Sequence, residues 1–252
     1  MTTAKRGDAT IIALIVLGVA FLFFVVALAM LGLRPTSGTK DDFGRSDTNL
    51  ALSGQAYNCS GVTTVPKEYM PYVKTAADRY LGGDQVLLIS LVSIESGWHP
   101  KSISSAGATG LGQFLASTAS GYTGKGNPFY SLNIYNIFHV LSVSSITQSV
   151  RQAFLSSPRY SRDGRLQPEP SIFAAAKYFG DHMKKASTDI PTTYAKYYHG
   201  GKTASQKAEA QAGAQHLVDT YNKIVNGGGC TMKDPKTNTI EKVANPNSAS
   251  LL

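Results

Sequence analysis

The 25 residues from Ala9 to Leu33, ATIIALIVLGVAFLFFVVALAMLGL, contain no charged side chain. At about 1.5 Å of rise per residue, roughly 20 apolar residues in a helix already cross the ~30 Å of bilayer hydrocarbon. The run therefore predicts a single N-terminal transmembrane helix over 9–33, preceded by a cytoplasmic N-terminus, 1–8. The competing assignment is a cleaved signal peptide, because Lys5 and Arg6 form a basic start and Ala27-Leu28-Ala29 resembles a small-residue cleavage site. The run is long for a signal peptide and continues through Met30, Leu31 and Leu33 past that site, which favours the anchor. A short N-terminus inside and a long remainder outside suits a first helix. The expected location is thus the cell membrane, single-pass, with the remaining chain extracytoplasmic; under the alternative it is secreted.

Beyond the anchor, residues 34–58 are rich in Ser, Thr, Gly and Asp without apolar periodicity and read as a flexible linker. Residues 231–252 have the same character and read as a flexible C-terminal tail. Between them, 59–230 form one domain. The two cysteines, Cys59 and Cys230, stand at its ends. A disulfide joining them is expected if the compartment is oxidising, the alternative being two free thiols. Their spacing suits no compact metal site, and no His/Cys/Asp cluster has ligand spacing, so neither metal nor organic cofactor is expected. The formal charge of +8 suggests an anionic partner. The basic residues are scattered among acids, in no run longer than two, which argues against nucleic acid.

The domain reads as mainly α. Pro66 opens a helix that Gly82-Gly83 stops, and Asp84 caps a second, DQVLLISLVSIES, ended by Gly97 and Pro100. Ile172, Ala176, Phe179 and Met183 mark one face of a helix from about Pro170; Ala210, Ala214, Leu217, Tyr221 and Val225 mark another, stopped by Gly227. Ser131 to Leu155 is compatible with a helix. No alternating strand pattern of useful length appears.

Glu95 closes the second helix, whose Leu87, Leu88, Leu91, Val92 and Ile94 make it apolar on most of its circumference. The next acid in the chain is Asp163. A carboxyl group at the end of a buried helix is partly desolvated, which favours its neutral form and suits a general acid. Glycoside cleavage uses such an acid, usually with a second carboxylate within roughly 5 to 9.5 Å. Asp84 is eleven residues back along the same helix, about 16 Å away at 1.5 Å per residue, and cannot serve. Cleavage assisted by the substrate's own N-acetyl group is the recognised exception and restricts the substrate to N-acetylated amino sugars.

The stretch ESGWHPKSISSAGATGLGQF, from Glu95 to Phe114, resembles the signature of the soluble-lytic-transglycosylase-like branch of the lysozyme superfamily: Glu-Ser-Gly-aromatic, a Pro, a Ser nine residues after the Glu, Gly-Ala-x-Gly, then Gln-Phe. PSIFAAAKYF, Pro170 to Phe179, resembles the family's Asn-Ile-x-x-Gly-x-x-Tyr-Leu helix, with Ser171 and Ala175 replacing the Asn and the Gly. YAKYYHGG, Tyr194 to Gly201, resembles its Tyr-Asn-Ala-Gly stretch, with Tyr197 aligned at the active-site position and Tyr198 as the one-residue shift. The likeness covers roughly residues 62–226 apart from an extended insert, 121–169.

This resemblance implies a lysozyme-like, goose-type helical domain that cleaves the β-1,4 bond between N-acetylmuramic acid and N-acetylglucosamine in peptidoglycan. Glu95 would protonate the glycosidic oxygen and then accept the muramyl 6-hydroxyl proton, leaving 1,6-anhydro ends. Ser104 would bond Glu95 or the N-acetyl group, Gln113 would hold the sugar or peptide stem, and Tyr197 would orient Glu95 or the N-acetyl group. Tyr178 is a further candidate for the substrate site. Ala106, Gly107 and Ala108 would let the backbone approach the glycan closely. Two rivals stay open: a muramidase hydrolysing the same bond, and a weakly active wall-binding component of a secretion or conjugation apparatus. Trp98 and His99 are open between a sugar subsite and core packing, and the insert between a lid and a cap.

Overall fold

A computed structural model describes residues 55–104, 106–135, 157–200, 203–233 and 237–243, with Tyr197 by its backbone only. The predicted anchor, Ala9–Leu33, lies outside the described residues. Among those described, no helix is long and apolar enough to cross a membrane.

The helices follow the signals in the sequence. After a 3-10 turn, Lys67–Tyr69, α1 runs over Met70–Tyr80. The α2 helix spans Gln85–Ser96, and its N-cap Asp84 accepts a hydrogen bond from the Leu87 amide, satisfying a donor that the first turn leaves unpaired. A short α3, Ala116–Ser120, is followed by α4, Pro168–Ala186, and α5, Ile190–Thr193. A π-helical turn, Tyr194–His199, leads into α6, Ala204–Asn226, which Thr203 and Gln206 start with a reciprocal capping box. Residues 131–135 are not helical; the rest of the stretch to Leu155 lies outside the described residues.

Every residue of α2 from Gln85 to Val92 is buried. The helix packs against α1, α4 and α6, so it is the axis of the core. Close crossings depend on missing side chains. At Gly180 of α4 a Cβ would collide with the Tyr80 carbonyl oxygen at the end of α1.

The expectation of no strands is corrected by a small antiparallel sheet. It contains β1 (Ala56–Cys59), β2 (Thr63–Pro66), β3 (Cys230–Lys233) and β4 (Ile240–Val243), in the order β2-β1-β3-β4. The sheet takes in residues assigned by sequence to linker and tail. Each strand is four residues long, so β1 offers only two inward positions, Tyr57 and Cys59, too few to register as a period of two. Cys59 and Cys230 are paired across β1 and β3, and the expected disulfide joins them, with a Cα separation of 3.9 Å.

Candidate active site

Glu95 stands half buried in the last turn of α2. Gly97, with φ 58°, ends the helix in the left-handed conformation, and Trp98 continues it at φ 67°. Trp98 is only 3% exposed; its indole N–H donates to Ser93 Oγ at 3.0 Å and its ring stacks on Tyr69. It is a core plug that fixes the chain leaving Glu95.

The small-residue loop that follows braces itself. Ser104 Oγ accepts from the Ala108 amide at 3.0 Å, and the Ser104 amide donates to the Ala108 carbonyl at 2.9 Å. Gln113, at φ 49°, spends its side-chain amide on the carbonyls of Ser102 and Gly110, at 3.2 and 2.8 Å. Both side chains thus make hydrogen bonds within the loop. A loop of Ala and Gly has few side chains to pack, and its backbone groups take nearby polar side chains as partners. Ala106 is exposed and Gly107, at φ 80°, is buried.

Two later segments hold this loop. Ser171 of α4, fully buried, accepts from the Gly112 amide at 3.1 Å and so ties α4 to the loop. A Cβ on Gly112 would come within 3.2 Å of the Ala175 methyl, which explains two small residues facing each other. The other support is Arg165, fully buried in an ion pair with Asp163 at 2.7 Å. Its guanidinium also donates to the carbonyls of Phe114 and Tyr135, while Asp163 accepts from the Tyr135 amide. Gly110, at φ 81°, lies so close that a Cβ would run into the Arg165 carbonyl oxygen. Tyr135, Asp163 and Arg165 of the insert are thus bonded to one another, and Arg165 to the loop after Glu95. Phe129 of the insert is buried edge-on against Phe114, so at least this part is core.

The π-helical turn supplies the tyrosine that meets Glu95. Tyr194, fully buried, donates its hydroxyl proton to Glu95 Oε1 at 2.6 Å. Tyr198, stacked on Tyr194 with ring centroids 5.8 Å apart and planes 11° from parallel, donates to the Gly112 carbonyl. The pair therefore ties the end of α2 to the small-residue loop. Gly213 of α6 makes room, since a Cβ there would lie 2.8 Å from the Tyr194 ring. The side chain of Tyr197, the aligned candidate, lies outside the described atoms. The bond from Tyr194 to Glu95 was not legible in sequence, because YAKYYH offers three tyrosines and its period does not show that the segment forms a π-helical turn.

Burial pushes the Tyr194 hydroxyl pKa up, reinforced by the negative charge of Glu95, the hydrogen bond to it, Tyr198 and Glu209. Burial, then the Glu95 charge, raises Tyr198 as well. Both remain neutral donors at any physiological pH. Tyr178 sits edge-on to Phe114, Tyr122, Tyr198 and His182. Among the described residues no group of three or more His, Cys, Asp or Glu could hold a metal.

Residues 71–146 match the family described as Transglycosylase SLT domain. Among solved structures, the chain is similar to the 70 kDa soluble lytic transglycosylase from Escherichia coli, at 19% identity and a TM-score of 0.35, over 64% of this chain and 24% of that one. It is likewise similar to the complex of the 70-kDa soluble lytic transglycosylase with bulgecin A, at 20% identity and a TM-score of 0.33, over 64% of this chain and 23% of that one. The matched region spans about a quarter of the length of those proteins. The segment carrying Glu95 and its small-residue loop is thus similar to a transglycosylase SLT domain.

Proposed function

We propose that the chain is a peptidoglycan lytic transglycosylase with a lysozyme-like domain and Glu95 as its acid and base. The observation that carries this reading is the half-buried Glu95 at the end of a buried helix, its Oε1 fixed by the Tyr194 hydroxyl at 2.6 Å. The match of residues 71–146 to a transglycosylase SLT domain supports the same reading. Glu95 donates its proton to the oxygen between N-acetylmuramic acid and N-acetylglucosamine as that bond breaks. The resulting carboxylate then takes the proton of the muramyl 6-hydroxyl as its oxygen closes on C1, and no water is consumed. A neutral tyrosine hydroxyl can donate to Glu95 in both states, to the carbonyl oxygen of the acid and to the carboxylate, so Tyr194 holds one geometry through both steps.

The acids nearest Glu95 in sequence are otherwise committed. Asp84 caps the far end of α2, and Asp163 is locked to Arg165. The substrate's acetamido group then stands in for a second carboxylate. Hydrolysis is the runner-up and has one observation in its favour: the exposed Glu209 of α6 bears on the Tyr194 hydroxyl and is a carboxylate on that side of the site. Mass spectrometry of digested wall separates the two, since anhydro-muramyl ends mean transglycosylation and reducing ends mean hydrolysis. Glu95→Gln is expected to lower turnover by roughly 10²–10⁴-fold, the scale of general acid–base catalysis. Wall clearing that survives it would leave only a wall-binding scaffold. The location proposed is extracytoplasmic, tethered by Ala9–Leu33, and protease accessibility of the domain in whole cells or spheroplasts tests it.

A further inference from the structure

The π-helical turn has a second face. While Tyr194 and Tyr198 point to Glu95 and the loop, Ala195 and Lys196 line an open groove of about 470 Å³ between this turn, α5 and α6. Its floor is Ala210 and Ala214, buried and one helical turn apart, which hollow the surface of α6. Lys196 lines the groove from the turn, and Lys207, Gln211 and Gln215 line it from α6. Gln215 directs its amide to Asp219, one turn further along α6.

Resting on the transglycosylase reading, we propose that this groove binds the peptide stem of the glycan strand, with Lys196 and Lys207 receiving its carboxylates. Three arguments carry this. The volume lies within the range of about 300–1,000 Å³ typical of small-ligand sites and suits a few peptide residues. The two ammonium groups match carboxylates, and the amides and the alanine floor match a peptide backbone with small side chains. The third argument is reach. A helical turn is about 10–12 Å across with its side chains, so the path around half of it is about 16–19 Å, and at about 3.3–3.6 Å per residue roughly five extended residues carry a stem from the Glu95 side of the turn to the groove. An occupant there touches Ala195 and Lys196, which belong to the same turn as Tyr194.

The test measures binding rather than turnover and uses the full chain carrying Glu95→Gln, so that substrate is not consumed. Sedimentation with intact peptidoglycan sacculi is compared with the same sacculi stripped of stems by an amidase. Lys196→Gln with Lys207→Gln should weaken binding to intact sacculi roughly tenfold at about 0.15 M salt. Binding to stripped strands should be the same with and without the substitutions. The reversal, Lys196→Glu with Lys207→Glu, should weaken intact binding further and again spare stripped strands, which a folding defect would not do. Equal loss on both substrates, or no loss on intact sacculi, overturns the proposal. Competition by millimolar inorganic phosphate as strong as by a free acidic stem peptide overturns the assignment to a peptide. If the chain with intact lysines binds neither substrate, the transglycosylase reading fails and this inference with it.

Discussion

At the scale of single residues, the hydroxyl of Tyr194 is the most informative atom after the Glu95 carboxyl group. A hydrogen bond to a charged group contributes about 1.5–3 kcal/mol, equivalent to roughly 10- to 150-fold in rate if it holds the reacting geometry. Tyr194→Phe keeps the ring on Gly213 and Tyr198 and removes only that bond, so kcat should fall within this range while KM changes little. A fall confined to KM would show that the hydroxyl binds substrate rather than positioning Glu95. Gly110→Ala is the contrasting case. Its Cβ has no room beside Arg165 and its φ of 81° disfavours any side chain, so thermal denaturation should show a large loss of stability. The place of Glu95 at the end of a buried helix was legible because a lone acid ends an apolar run and opens a dense motif. The loop bonds of Ser104 and Gln113 were not, because a side chain that faces a ligand and one that braces its own loop leave the same trace in sequence.

Among the elements, α2 carries Glu95, and hydrogen bonds hold it at both ends, at Asp84 and at Glu95. Asp84 at the N-terminus is buried, which raises its pKa above the ordinary 3.8, although the hydrogen bonds from Leu87, Tyr221 and Val86 pull it down. A carboxyl group whose native pKa is raised binds more protons folded than unfolded between 3.8 and its native value, so stability falls as pH rises through that window. Asp84→Asn keeps a good cap and a partner for the Tyr221 hydroxyl while removing the buried charge. Urea titrations of this variant should therefore lose that acid-side decline and show stability at pH 7 equal to or above that of the parent. The Asp163–Arg165 pair behaves oppositely, because each group satisfies the other. Asp163→Ala leaves a buried guanidinium uncompensated and should cost about 3–5 kcal/mol. The helix boundaries were legible because capping residues, Gly stops and a 3.6-residue period are local signals. The Arg165 support was not, since its partners Phe114 and Tyr135 lie 51 and 30 residues away and only the tertiary fold brings them together.

For the molecule as a whole, the sheet and its disulfide decide how the ends of the domain are held. Four strands of four residues would be marginal alone, yet β1 and β3 lie at the two ends of the helical domain and are joined through Cys59 and Cys230, 171 residues apart. Chain-entropy arguments give a loop of that length roughly 5 kcal/mol of stabilisation, by restricting the unfolded chain. The sheet is also wired to α6: Ser60, in the β1–β2 turn, donates to the Ile224 and Gly229 carbonyls, and Gly227 is kept bare because a Cβ would strike Ser60. Since α6 also backs Tyr194 through Gly213, loss of the disulfide should be felt at Glu95 only after the sheet has loosened. Cys59→Ser with Cys230→Ser should therefore lower the denaturation midpoint substantially while leaving turnover well below that midpoint within about twofold. Protein prepared under reducing conditions should reproduce the shift, and the variant should be indifferent to reductant. A midpoint equal to that of the oxidised parent would mean that hydrogen bonds between β1 and β3 hold the ends without the bridge.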